Sequence, residues 1–352
     1  MTTFLEQTSP TGRSYSDHSH GPWRRILVSR EAAVIGSALL VIVVASFAVR
    51  AFAQPITATY LLLDIAPILL IALPMTLVII TGEIDLSVAS IVGLSSVTLG
   101  VLHQEGMPIA GAAVIALLVG ALAGAVNGFL VTIVGLPSLA VTIGTLALYR
   151  GLAVGLLGTK AVTDFTEFWT DLAKSKIGDS AIPSVVIPIV VLAILFGVLL
   201  HLTPFGRGIY AIGLNAEAAR FSGIKVDRTK FILFTLSGLA SALAGIYYTL
   251  RFTSARGDNA TGLELGVIAA VLLGGVSIFG GKGSTVGPIA GAVLIGVLAS
   301  ALRLANVTSD VINIVTGTLL VASVVATSFL AWLHSKRARP GKKKGTLAAA
   351  KG

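Results

Sequence analysis

The residues best equipped for chemistry stand in one short polar island, residues 206–230, GRGIYAIGLNAEAARFSGIKVDRTK, between long apolar runs. Its cations are Arg207, Arg220, Lys225, Arg228 and Lys230. Asn215 is a natural helix N-cap. Glu217 follows in the first turn, where an acid favours the helix dipole. Ala218 and Ala219 are strong, slim helix formers, and Gly223 suits a left-handed stop. Gly206, Gly208 and Gly213 permit sharp turns upstream. The expectation is a helix of roughly two turns outside the bilayer, with an alanine face that fits a groove on another protein. Arg220 and the later cations can meet acidic side chains or lipid phosphates. Such chemistry is docking, not catalysis; the plain alternative is an ordinary basic loop.

Other polar groups lie inside apolar stretches, where an ionisable side chain points to function by default. Asp64 falls near the outer end of the second apolar run. Arg150 lies in the fifth, about 20 Å from its inner end at 1.5 Å per residue. Both are candidates to face a central pathway, pairing with each other or bonding passing hydroxyls; the alternative is snorkelling to the headgroups. Asn127, Thr142 and Thr145 can line a route for a neutral polyol or bond between helices. Asp85 with Ser87 is expected to cap the third span. His103 and His201 stand alone at span ends. No metal-spaced cluster and no Ser/His/Asp grouping is present, so neither a metal, a cofactor nor a catalytic residue is expected. The string GGKGST at 280–285 resembles a phosphate loop only superficially. Val276 stands where the first glycine is required and Gly283 where the magnesium-binding Ser or Thr belongs.

These groups need a membrane scaffold to position them. Apolar residues make up 55% of the chain, charged residues 12%, and the mean hydropathy is +0.93. A soluble domain of this size cannot hide so much apolar surface, whereas repeated long apolar runs are what a bilayer requires. The absence of cysteine excludes disulfides and thiolate metal sites. The formal charge of +9 is concentrated in tails and loops, which is membrane topology rather than nucleic-acid binding. The fold class expected is an all-α polytopic membrane protein of about ten transmembrane helices, with eight as the alternative. The spans are 32–53, 61–81, 86–102, 108–134, 137–157, 185–202, 231–250, 263–279, 285–304 and 311–333. The second and third are joined so tightly at 82–85 that they can act as one re-entrant unit. Pro67 and Pro74 should kink the second. An even count puts both basic tails and the 206–230 island on one side, which the positive-inside rule makes cytoplasmic. Residues 1–30 are expected to be a disordered cytoplasmic tail rather than a cleaved signal. Residues 31–334 form the transmembrane domain with a loop at 204–230, and 335–352 form a basic cytoplasmic tail. Gly120, Gly124 and Gly128, and Gly287 with Gly291, are small-residue stripes for close helix packing.

The run Glu217 to Gly223, EAA-x-x-x-G, resembles the cytoplasmic motif of ABC importer permeases. Three further stretches resemble the ribose, rhamnose and autoinducer-2 branch of those permeases. They are VIITGEIDLSVAS at 78–90, LNAEAARFSGIKV at 214–226 and LELGVIAAVLLGGVSIFGGKGSTVGPIAGAVLIG at 263–296. Weaker similarity in PSLAVTIGTLALYRG extends the likeness, which covers about 61–333. Glu83 and Ala89 depart from the glycines usual there. The resemblance implies a non-catalytic permease subunit of an ATP-driven sugar importer in the bacterial inner membrane. It also implies that residues 215–223 dock a cytoplasmic ATPase subunit, that a soluble sugar-binding protein delivers cargo from outside, and that a second permease copy or sister completes the path. The rivals are a permease for branched-chain amino acids or nucleosides, an ion-coupled secondary transporter, and a membrane enzyme, for which no catalytic constellation exists.

Overall fold

The computed structural model describes residues 30–337; for residues 30, 323–324 and 326–337 only the backbone is described. The expected tails, 1–30 and 335–352, therefore lie largely outside the described residues. The helices are α1 (Arg30–Ala48), α2 (Pro55–Ile80), α3 (Val88–Gln104), α4 (Ile109–Thr132), α5 (Ser138–Leu157), α6 (Glu167–Lys174) and α7 (Val186–Leu202). They continue as α8 (Pro204–Leu214), α9 (Ala216–Phe221), α10 (Val226–Phe252), α11 (Leu263–Leu273), α12 (Val286–Leu304) and α13 (Ser309–Arg337). Among the described residues the only extended pairings are two isolated bridges, Val162 with Ala255 and Lys176 with Pro183.

By length and composition, six described helices can cross a membrane, namely α1, α2, α4, α5, α10 and α12. The count is seven if α7 and α8, bent by 70° at Thr203, are one broken span. Every one of the ten expected stretches contains a helix, but several are shorter than expected. The stretch 263–279 is helical only over Leu263–Leu273, 11 residues, a rise of about 16 Å against a hydrocarbon core of about 30 Å. Its helix stops because Gly275, Gly280, Gly281 and Gly283 all take positive φ, a backbone that a helix cannot continue. The 280–285 string lies in that loop, between α11 and α12.

The α2 helix is the pillar of the fold. It is apolar on every side, and a helix of that kind belongs in the interior. Of its most apolar window 89% is buried, and it packs against α7, α10, α11 and α12. Pro55 supplies its first turn, and it carries Pro67 and Pro74 within its length. The second axis is α10, which packs on α2, α3, α4 and α6. Its crossing with α4 depends on glycine. A Cβ on Gly238 would run into the carbonyl oxygen of Gly120, and one on Gly124 into that of Phe234. The expected stripe on α4 thus meets α10 backbone to backbone, the close approach that small residues permit.

Candidate functional site

The α8–α9 segment is built as its residues dictate. Thr203 caps α8, its hydroxyl oxygen accepting from the Gly206 N–H at 3.1 Å, with Pro204 in the first turn. Asn215 caps α9 by accepting from the Ala218 N–H at 3.0 Å. At the other end Ile224 N–H donates to Ala219 O and Gly223 N–H to Arg220 O, at 3.1 and 3.0 Å. Gly223 has φ +84°. This pair of bonds is a Schellman stop, which needs a left-handed residue at that place.

The orientation of α9 corrects one expectation. Ala219 faces inward, 4% exposed, in a small cluster with Ile212 and Val226. It is the seat of the helix on its own chain, not part of a free alanine face. The outward surface is formed by Asn215, Glu217, Ala218 and Arg220, flanked by Leu214 at 70% and Phe221 at 91% exposure. Two large exposed apolar side chains on a polar loop are the signal that charge and alanine counting overlooked. Arg220 is held within the chain, its Nη2 donating to both carboxylate oxygens of Asp227 at 2.7 and 2.9 Å.

Three connections lead inward from this segment. Gly213 packs directly on the Ile80 carbonyl and the Gly281 N–H, so closely that no side chain fits there. Gly281 N–H itself donates to Ile80 O at 2.8 Å, and Tyr210 OH donates to Gly283 O at 2.7 Å. Thus α8, the end of α2 and the 274–285 loop meet at one point. The third connection is an ion pair between Lys230, on the first turns of α10, and Glu83 in the α2–α3 turn. Both side chains are about 15% exposed. Glu83 therefore has a partner of its own.

Just inside that turn lies a buried polar network. One Asp85 oxygen accepts from the Ser87 N–H and hydroxyl at 3.0 and 2.6 Å, the other from the Ser237 hydroxyl at 2.9 Å. Asp85 so bonds Ser87 itself, and the expected cap onto the first turn of α3 is not made. Asn127 Nδ2 donates to Ser87 Oγ at 2.7 Å, and Tyr149 OH is 3.0 Å from Ala123 O and 3.3 Å from Asn127 Oδ1. Thr142 Oγ1 donates to Ile84 O at 3.3 Å, and Thr145 Oγ1 to Thr142 O at 3.5 Å. Asn127 and Thr142 are fully enclosed, and Thr145 is buried. Tyr149 and Ser237 were not visible in the sequence, since nothing local marks them, although their partners Asn127 and Asp85 were.

Asp64 and Arg150 occupy separate places, Asp64 toward the other end of α2 and Arg150 beside the first turns of α3. Asp64 on α2 pairs through one oxygen with Arg251 of α10 and through the other, at 2.9 Å, with Arg303 of α12. Arg251 also donates to Leu63 O at 2.7 Å. Three helices are thereby tied. Arg150 Nη1 donates to Gly257 O and Asn259 O at 2.7 and 2.8 Å, and Nη2 to Ala89 O at 3.1 Å. The guanidinium fits because Gly93 leaves space beside it. It fastens α5 to α3 and to the 253–262 loop. Within that loop Arg256 donates twice to Asp258 and holds its carboxyl below the usual carboxylate range.

Comparison with known proteins places this architecture. Residues 57–324 match the family described as branched-chain amino acid transport system / permease component. The "autoinducer 2 import system permease protein LsrD" of Photorhabdus luminescens is 37% identical over 274 residues, 76% of this chain and 82% of that protein. The protein of that name in Salmonella typhi is 37% identical over 265 residues, 74% and 79% of the two chains. In Yersinia enterocolitica it is 36% identical over 271 residues, 75% and 81%. A solved chain, an inward-facing conformation of a metal-chelate type ABC transporter, aligns at TM-score 0.48 with 15% identity. It covers 86% of this chain and 99% of its own length, a likeness too loose to bear on function.

Proposed function

This chain belongs to the branched-chain amino acid transport system permease family, and from that premise we propose that it imports autoinducer 2 or a closely similar sugar-like solute. It is a transport subunit of the ABC type. The observation that carries the cargo is the identity of 37% across three quarters of the chain to permeases named for autoinducer 2. A second reading, branched-chain amino acids, has the wording of the family description in its favour.

In this reading the chain has about ten membrane segments, including the short α3 and α11, with both termini and the 204–230 loop in the cytoplasm of a bacterial inner membrane. The excess of Lys and Arg in that loop and in the tails supports the orientation. Residues 1–30 and 335–352 are its tails, and 31–334 its membrane domain. The α9 helix, with Asn215, Glu217, Ala218, Arg220 and Gly223 shaping it and Ala219 seating it, docks a separate ATPase. Leu214 and Phe221 are the apolar anchors. When ATP draws two ATPases together, the push passes through Ala219, Gly213 and Tyr210 to the end of α2, and through Lys230 to Glu83. ATP is hydrolysed on the partner, a binding protein delivers the solute, and a second permease completes the path. Asp64 and Arg150 hold its outer end in shape. Asn127 and Thr142 brace the helices beside it.

The test is uptake into proteoliposomes that hold this chain, its ATPase and its binding protein. Autoinducer 2 should accumulate only with ATP, and leucine should not compete. Accumulation driven by an ion gradient without the ATPase would overturn the coupling. Accumulation of leucine would replace the cargo.

A further inference from the structure

Away from the coupling face and the outer ion pairs lies an apolar cavity of about 390 Å³, within the range of about 300–1,000 Å³ typical of small-molecule sites. Leu70 of α2 with Leu243 and Tyr247 of α10 line it; Trp169 and Ala173 of α6 and Ile187 of α7 also border it. Tyr247 OH is already used, donating to Leu63 O at 3.2 Å. A polyhydroxylated solute would leave its hydroxyls without partners here, which is costly. A hydrocarbon chain would not. Ile187 is 54% exposed, so the groove opens on the outer surface of α7.

The one polar stretch of the lining is Ser184, whose hydroxyl lies 2.5 Å from that of Ser175. Lys174 and Lys176, both exposed, bracket Ser175. Lys174 gives one N–H to Thr253 Oγ1 at 3.1 Å and keeps its charge and two donors. The acids of α6, Glu167 and Asp171, lie on the turns before. We propose that this groove binds one acyl chain of a bilayer phospholipid, with its phosphate against Lys174 and Lys176; the Ser175 and Ser184 hydroxyls are already engaged with each other and with Leu172 O. The helix α6, with Trp169 turned toward the groove, is the strap that holds the chain on α10. A lipid seated there touches both α2 and α10, the two central helices. The proposal rests on the membrane scaffold and does not depend on the cargo.

The full chain in detergent provides the test. Trp23→Phe with Trp332→Phe leaves Trp169 as the sole tryptophan. Titration with phosphatidylglycerol brominated on its acyl chains should quench Trp169 with saturation near one lipid per protein. Ala173→Phe, which fills the groove, should remove the saturable phase. Leu243→Phe does the same from α10, should the first variant misfold. Lys174→Gln with Lys176→Gln should raise the half-quenching concentration severalfold. Quenching that is linear and unchanged by the filling variants would reduce the site to bulk partitioning and overturn the proposal. So would quenching that develops only after two copies are separated, since the groove would then be an interface between chains. Equal affinity for brominated phosphatidylcholine would overturn the role of the lysines.

Discussion

Replacing Phe221 by alanine removes the largest side chain on the proposed docking surface without touching the fold of the chain itself. Phe221 is 91% exposed and gives up almost nothing within the free protein. If it is buried on docking, its transfer from water is worth about 1.5–3 kcal/mol. At 1.4 kcal/mol per factor of ten, the variant should bind the ATPase roughly ten- to a hundredfold more weakly. The melting temperature of the isolated permease should be unchanged. Affinity is read by titrating labelled ATPase onto permease in nanodiscs, and uptake is read in parallel with saturating ATPase. High ATPase should rescue Phe221→Ala, because the α9 helix and its seat are intact. Ala219→Leu provides the contrast. Ala219 is 4% exposed against Ile212 and Val226, so a larger side chain displaces α9 from its seat, and excess ATPase should not restore uptake. An affinity for Phe221→Ala within twofold of the parent would show that the most exposed phenylalanine of the loop is not buried when the ATPase binds.

Three further outcomes follow from the packing. Glu83→Lys should cost about 2 kcal/mol, less than the 3–5 of a fully buried pair, because Lys230 then faces a like charge; the swap Glu83→Lys with Lys230→Glu should recover most of the lost melting temperature. Gly238→Val should destabilise by about 1–3 kcal/mol or more through overpacking against Gly120, read as a lower melting temperature, whereas Gly144→Ala, which meets open space within the chain, should leave the isolated chain unchanged. Arg150→Gln strips donors from the carbonyls of Gly257, Asn259 and Ala89, so amide exchange across 253–262 should quicken while exchange in α2 stays as it was; equal protection of the loop would show that Arg150 does not hold it.

Much of the structure of the 215–223 segment was legible because its information is local. Asn215 and Gly223 end α9 through bonds three and five residues long, and the sequence carries both partners. The glycine spacing on α4 was readable for the same reason, since a period of four fixes one face of a helix. What local spacing does not carry is the direction in which a short helix is turned. Ala219 points inward because α8 and α10 hold α9 at that angle, and the pattern EAARF alone allows either face. The ion pairs of Asp64 show the same limit. Asp64 meets Arg251 and Arg303 across 187 and 239 residues, and the two arginines look in sequence like ordinary cations at span ends. The length of α11 was overestimated because apolar content continues to Phe279, while backbone geometry ends the helix at the glycines.

The absence of cysteine from the chain allows the most direct test of the coupling account. A single Phe221→Cys variant can be labelled with a membrane-impermeant maleimide in spheroplasts and in inside-out vesicles. Labelling is expected only in the inside-out vesicles, with protection once the ATPase is added. Labelling from the outer face, or labelling indifferent to a bound and active ATPase, would contradict it.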